Sequence, residues 1–177
     1  MNSQGLTFFE LIISLAILAI VLAIGIPSFN AQISQSRTKT ATLTLLDAIE
    51  TTRSIAVFRN MRTVLLAKDK KWHMGWTLFS DYNNNGLVDG NDQILAENGP
   101  LKGVFATGRE TKEPMPYISF IGTGEGKKIA NSHGGAFLAG TIQICPEQKG
   151  DGYALVLSKG GRTRVEKVKA AKCGSRR

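Results

Sequence analysis

The chain is short of the residues that most catalytic centres need. Its 177 residues include two histidines, His73 and His133, and neither has a cysteine or carboxylate at metal-ligand spacing. There is no H-E-x-x-H, no nucleophile elbow and no phosphate loop. Gly122-Thr123-Gly124-Glu125-Gly126 is rich in glycine, but no helical pattern follows it, which argues against a nucleotide loop. These absences point away from an enzyme and away from any cofactor. Aromatic residues make up only 7% of the chain against 19 glycines, a balance that favours a turn-rich sheet of short strands.

Charge is missing from one place in particular. Leu11 to Ile26 contain no ionisable group, one hydroxyl at Ser14 and one glycine at Gly25, and the next ionisable residue is Arg37. Glu10 stands alone at the head of this run. A lone carboxylate at mid-bilayer costs roughly 2.5–3.5 kcal/mol, so it asks for a cationic partner. A secretory signal would place its cleavage site after the apolar run, and an ordinary membrane anchor gives no reason to keep Glu10.

Gly5-Leu6-Thr7-Phe8-Phe9-Glu10 resembles the cleavage site of type IV prepilins, in which a dedicated peptidase cuts after the glycine and methylates the new amino terminus. Leu6 stands where that family usually has Phe, and the leader has no basic residue. The resemblance implies a leader over residues 1–5 and a new ammonium on Leu6. That ammonium and Glu10 would neutralise one another, often between neighbouring subunits, and so set a register for assembly. It also implies an exported head, where thiols normally pair, so Cys145 and Cys173 are expected to form one disulfide. That bridge would close a loop of about 29 residues.

The rest reads as an α+β protein with one globular domain. A helix is expected over 6–58, about 80 Å long, whose first part (6–29) is the membrane and assembly segment and whose second part (30–58) packs on the head. Ile33, Leu43, Leu46, Ile49 and Ala56 are the expected buried face, and Pro27 an expected kink. Residues 59–177 form the head, a small antiparallel β domain with a basic C-terminal strand and tail. Strand patterns occur at Thr63–Ala67, Trp72–Ser80, Gln93–Glu97, Gly103–Ala106, Tyr117–Ile121, Gly135–Leu138, Thr141–Cys145, Tyr153–Leu157 and Arg162–Lys167.

Arg53-Ser54-Ile55-Ala56, Arg59-Asn60, Val64-Leu65, Trp72, Gly75-Trp76 and Asp81-Tyr82-Asn83-Asn84-Asn85-Gly86 follow one another in an order similar to the FimT and GspH group of minor pilins and pseudopilins. That resemblance implies a long helix laid against two small sheets. Residues Asp81 to Asp92 also fit a calcium loop, with Asp81, Asn83, Asn85, Asp89 and Asp92 as oxygen donors around Gly86. Asp92 replaces the usual bidentate Glu and no exit helix follows, while Asn and Gly equally suit a plain hairpin connection. Metal binding is therefore the lesser expectation.

The formal charge of +8 is concentrated at the end of the chain: from Lys159 to Arg177 there are eight cations against one anion, Glu166. Such a patch attracts polyanions. Gly160-Gly161-Arg162-Thr163-Arg164 gives it a shape, because arginines two apart on a strand project to one side and their guanidinium forks can bracket phosphates. The Gly-Arg-x-Arg string resembles the C-terminal element by which FimT-type minor pilins of naturally transformable bacteria bind DNA. The resemblance implies that Gly161, Arg162 and Arg164 contact DNA; Lys159, Lys167, Lys169 and Lys172 join them on electrostatic grounds alone. The tail has no aromatic residue, which argues against base stacking as the main term.

The resulting expectation is a minor type IV pilin of a Gram-negative bacterium, anchored in the inner membrane with its head in the periplasm before it joins a pilus. Its partners would be the prepilin peptidase, other major and minor pilins, and extracellular double-stranded DNA taken up in natural transformation. The alternatives are a structural minor pilin that primes assembly and a type II secretion pseudopilin, neither binding DNA. The DNA reading requires both guanidinium groups to be exposed and unpaired.

Overall fold

The first helix begins where the sequence supplies both halves of a cap. Thr7 accepts a hydrogen bond from the Glu10 amide at 3.3 Å, and the Glu10 carboxylate accepts one from the Thr7 amide at 3.3 Å, forming a capping box. The computed structural model describes residues 7–90, 92–111, 113–129 and 135–173, with the side chains of 23–28 excepted. Gly5, Leu6, His133, Arg176 and Arg177 lie outside the described residues. Helix α1 runs Phe8–Arg59 and is continuous through Pro27. It stops at Asn60, whose left-handed backbone (φ 47°) turns its N–H back onto the carbonyls of Ala56 and Val57.

The face that α1 buries differs from the expected one. Leu43 and Ile33 are exposed, and the covered stripe is Thr38, Ala41, Thr42, Leu45, Ile49, Thr52 and Ala56. This is the true helical period, completed by threonines that a search for apolar residues passes over. Burial of those hydroxyls is tolerated because each bonds the carbonyl four residues back: Thr38 to Ser34, Thr42 to Thr38 and Thr52 to Ala48. The N-terminal half of α1 stands clear of the head, with Phe8, Phe9 and Leu11 through Leu22 exposed. Among the described residues no helix is long and apolar enough to cross a membrane. The expected 6–29 segment includes residues 23–28, whose side chains lie outside the described ones.

Two antiparallel sheets receive the helix. Strands β1 (Thr63–Ala67), β2 (Trp76–Ser80), β3 (Gln93–Asn98) and β6 (Tyr117–Phe120) form one sheet in the order β3-β2-β1-β6. Strands β4 (Val104–Glu110), β5 (Glu113–Pro114), β7 (Gly140–Pro146), β8 (Gly152–Leu157) and β9 (Thr163–Val168) form the other, in the order β5-β4-β7-β8-β9. A four-residue helix, α2 (Ala170–Cys173), follows β9. Leu45, Ile49 and Ala56 of α1 share one core with Leu65, Leu78, Ile118 and Phe120 from the first sheet and Ile142, Ile144, Leu155 and Leu157 from the second.

Four strand expectations change. The strand expected at Gly103–Ala106 runs on to Glu110 as β4, which brings Arg109 into the sheet. Trp72–Met74 is a 3-10 turn rather than the start of β2, because the buried Trp72 ring reaches away to donate its Nε1–H to the Met115 carbonyl at 2.8 Å. Gly135–Leu138 contributes one isolated bridge, Lys127 to Phe137, in place of a strand. The two-residue β5 and α2 are too short to leave a periodic signal.

Two charges are buried at the end of β1. Arg62 donates from Nε to Asn84 Oδ1 at 2.9 Å and from Nη1 to Ser119 Oγ at 2.6 Å, while Nη2 has no partner among the described residues. Burial lowers the Arg62 pKa, and the nearby Asp81 charge opposes the shift. Asp81 accepts the amides of Asn85 at 3.1 Å and Gly86 at 3.0 Å. Burial raises its pKa, those two amides and Arg62 pull it down, and Asp92 adds to the rise.

Two outcomes follow from these contacts. Cys145 and Cys173 are bonded, 28 residues apart in sequence, so replacing both by Ser is expected to lower stability by about 3–4 kcal/mol in the loop-entropy model; the shift of the urea midpoint, read by fluorescence of the buried Trp72 and Trp76, measures it. The Asp81 contribution is fully present below the ordinary carboxylate pKa of 3.8 and is lost as pH rises through the raised folded value. Asp81→Asn removes that dependence, so the melting temperature of the parent relative to the variant is expected to improve steadily as pH falls from neutral into the carboxylate range.

Candidate nucleic-acid interface

Strands β8 and β9 are joined by Ser158 to Arg162, a turn held by four hydrogen bonds. Ser158 N donates to Arg162 O at 2.9 Å and Gly161 N to Ser158 O at 2.9 Å. The Ser158 hydroxyl adds two more, donating to Arg162 O at 3.0 Å and accepting from Arg162 N at 3.2 Å. Gly161 sits in the left-handed region (φ +80°), buried so that a Cβ would overlap the Gly124 carbonyl oxygen and press on the Phe120 ring. The glycine of the Gly-Arg-x-Arg string is thus occupied in the turn, and the exposed part of the element begins at Arg162.

Arg162 is exposed, and its side chain makes no hydrogen bond or ion pair among the described residues. Arg164 departs from expectation: its Nε donates to Glu166 Oε1 at 2.8 Å. Residues two apart on a strand share a face, and this spacing brings the opposite charges together. Both partners are exposed, 67% and 50% of their side-chain surface, and a pair so wetted contributes about 0–1 kcal/mol. Only Nε is engaged. The two terminal nitrogens of the fork remain available to an oxyanion.

Strand alternation also divides the lysines. Lys167 lies opposite Tyr153, on the face that carries Leu155 and Val165, whereas Arg164 and Glu166 lie on the reverse face opposite Val156 and Ala154. Lys159 is exposed within the turn, and Lys169 and Lys172 are exposed after β9. Helix α2 is strapped to β7 by the disulfide and by Gln143, which donates to the Lys172 carbonyl at 3.3 Å. Ala170 N donates to Asp151 Oδ1 at 2.8 Å and fixes the start of the same helix. Glu166 and Ser158 are the two contributors that motif reading passed over; period-2 alternation would have found the first, and the Ser-x-x-Gly spacing of the turn the second.

The other candidate sites resolve differently. In the Asp81–Asp92 loop the donors satisfy one another: Asp89 Oδ2 accepts from Asn83 at 2.7 Å and Asn85 at 2.9 Å, and Asp92 accepts the Tyr82 and Asp89 amides at 3.1 Å. Among the described residues no cluster of three His, Cys, Asp or Glu side chains could hold a metal ion. His73 packs edge-on against Phe105, centroids 5.5 Å apart, and its Nδ1 lies 3.4 Å from both the N and O of Ala106.

Comparison with known proteins places this geometry. No curated protein sequence matches the chain. Among solved structures, the type IV minor pilin FimU of Pseudomonas aeruginosa is similar at 18% identity and a TM-score of 0.55, covering 75% of this chain and 90% of its own. The minor pseudopilin EpsH of the Vibrio cholerae type 2 secretion system is similar at 13% identity and a TM-score of 0.53, covering 73% and 96%. At these identities the likeness is one of fold. A family model for the prokaryotic N-terminal methylation motif matches residues 1–26. A second, described as type II transport protein GspH, matches residues 41–161. Its span takes in the helix from Ala41 onward and most of the head, and the chain therefore belongs to the FimT/GspH family of minor pilins and pseudopilins.

Proposed function

We propose that this minor pilin binds extracellular double-stranded DNA through the β8–β9 turn, for uptake in natural transformation. The observation that carries the reading is Arg162: an exposed guanidinium with no partner among the described residues, beside a turn closed by four hydrogen bonds. Arg164, two residues later, does not meet the unpaired condition, because its Nε holds Glu166; the reading therefore stands on Arg162, and Arg164 joins it only where a phosphate displaces that exposed pair, worth about 0–1 kcal/mol. Pre-organisation lowers the ordering cost of binding, and both charges act on the backbone rather than on base edges, so sequence preference is not expected. Lys159 and the α2-borne Lys172 extend the positive field. The role is one of binding and assembly, with no catalytic step.

The processing scheme belongs to the same proposal. A peptidase cut after Gly5 would leave Leu6 as the methylated amino terminus, and Glu10 would neutralise it during assembly with other pilins. Before assembly the apolar half of α1 would hold the protein in the inner membrane, head in the periplasm. A second reading has its own support, since the matching family description is that of a type II transport protein. In that reading the chain is a pseudopilin or a FimU-like structural pilin, and the basic hairpin is a solvated edge.

The two separate in one titration. With the full chain in a nonionic detergent and a labelled duplex, Arg162→Gln with Arg164→Gln is expected to weaken binding by roughly 50-fold at 0.1 M salt. The log–log salt slope should fall by about 1.8, that of two lost phosphate contacts. Glu166→Gln removes the competing anion and is expected to tighten binding by about two- to fivefold. Pili should still assemble in the double variant. Unchanged DNA binding in the double variant, or loss of pili with intact DNA binding, would favour the structural reading.

A further inference from the structure

We propose that a bound duplex also crosses the outer face of the five-stranded sheet, with Arg109 as a separate phosphate contact. The inference rests on the DNA-binding reading above. The strand registers place Arg109 opposite Thr141, Thr141 opposite Val156, and Val156 opposite Arg164. These four residues form one row across β4, β7, β8 and β9, and directly opposed residues share a face. Arginines 55 positions apart in sequence therefore stand on the same surface. Neighbouring strands lie about 4.8 Å apart, so three steps separate the two backbones by about 14 Å.

Nothing charged lies between them. Thr141 and Val156 are half-buried and uncharged, which leaves a low, neutral saddle between two guanidinium groups. Arg109 is exposed and its side chain makes no hydrogen bond or ion pair among the described residues. The nearby acids are turned away: Glu110 and its cross-strand partner Glu113 occupy the reverse face, where Glu110 is held by Lys128 at 3.0 Å. Among the described strand residues of this face the one anion is Glu166, in the adjoining row against Arg164, while Asp151 lies at the far end, holding the start of α2. Towards the other end of this face α2 covers the sheet, bonded through Cys145 and resting on Gln143. The uncovered strip is thus the Arg109 row and the turn beside it.

A separation of about 14 Å exceeds the reach of a single phosphate and is comparable with the ~12 Å width of the major groove. Arg109 and Arg164 must then take different phosphates, and each releases its own counterions. A nucleic acid that touched only the hairpin would be indifferent to Arg109.

The test is a salt series of duplex binding by the full chain in nonionic detergent. Four variants are compared with the parent: Arg109→Gln, Arg109→Lys, the double Arg162→Gln/Arg164→Gln, and Lys39→Gln, which removes an exposed cation from α1. Arg109→Gln is expected to weaken binding about five- to tenfold at 0.1 M salt and to reduce the slope by about 0.9, with Arg109→Lys restoring the slope. Lys39→Gln should match the parent. If Arg109→Gln binds like the parent while the double variant fails, the crossing is wrong and the hairpin reading stands. An equal loss in Lys39→Gln would also overturn it, by showing that net charge alone is read. A double variant that binds like the parent would remove the underlying reading itself.

Discussion

One guanidinium joins the three parts of the molecule that meet at the candidate site. Arg53, near the end of α1, donates from Nε to the Gly124 carbonyl at 3.0 Å. That same carbonyl is the atom against which Gly161 is pressed, and Arg53 borders both glycines. Helix, glycine-rich loop and β8–β9 turn are therefore locked at a single point, where two glycines with positive φ admit the close approach. A charge-assisted bond of this kind is stronger than a neutral one, and here it is partly shielded. The position of Arg162 is inherited from this junction. The glycine-rich string that would suggest a nucleotide loop is thereby given a structural task.

From Ser158 to Cys173 the basic end of the chain is consequently part of the folded head. Alternation along β9 sends Arg164 and Lys167 to opposite sides, and the disulfide returns Lys172 to the sheet after the strand has ended. Composition alone treats those charges as one tail. The fold sorts them into a face with a recipient geometry and a remainder that supplies only field, which falls off over about 10 Å at 0.1 M salt.

Much of this architecture was readable from residue pattern: β1 falls on Thr63–Ala67 and β3, β7 and β8 within a residue of their expected ends. The helix ends within one or two residues of expectation because Asn60 is a clear stop. What escaped did so for identifiable reasons. Thr38, Thr42 and Thr52 are core residues by position and polar by composition, so a hydrophobic search could not see them. Trp72 left the β period because its indole N–H needed a buried acceptor. At the site, the Arg162 to Arg164 spacing was visible and period-2 alternation put Glu166 on the face of Arg164, but the Arg109 row depended on registers across four strands. Linear order carries no such information.

The capping box at Thr7 and Glu10 bears on how the processed chain would behave. Both residues lie after the proposed cut, so the cap is left intact when the leader is removed. A helix amino terminus carries roughly half a positive charge, which already favours an ionised carboxylate in the first turn. On the proposed reading the new ammonium at Leu6 adds to that field from one residue beyond the cap. Glu10 then has two claims on it: the local amide of Thr7 at 3.3 Å, and the amino terminus of its own or a neighbouring chain. A hydrogen bond to an exposed carboxylate is readily exchanged, whereas the same carboxylate in lipid gains far more from a full opposite charge. On the proposed reading, exchange of the Thr7 amide for a neighbour's ammonium would replace a single hydrogen bond by a full opposite charge in an apolar surrounding, giving register without any rearrangement of the helix.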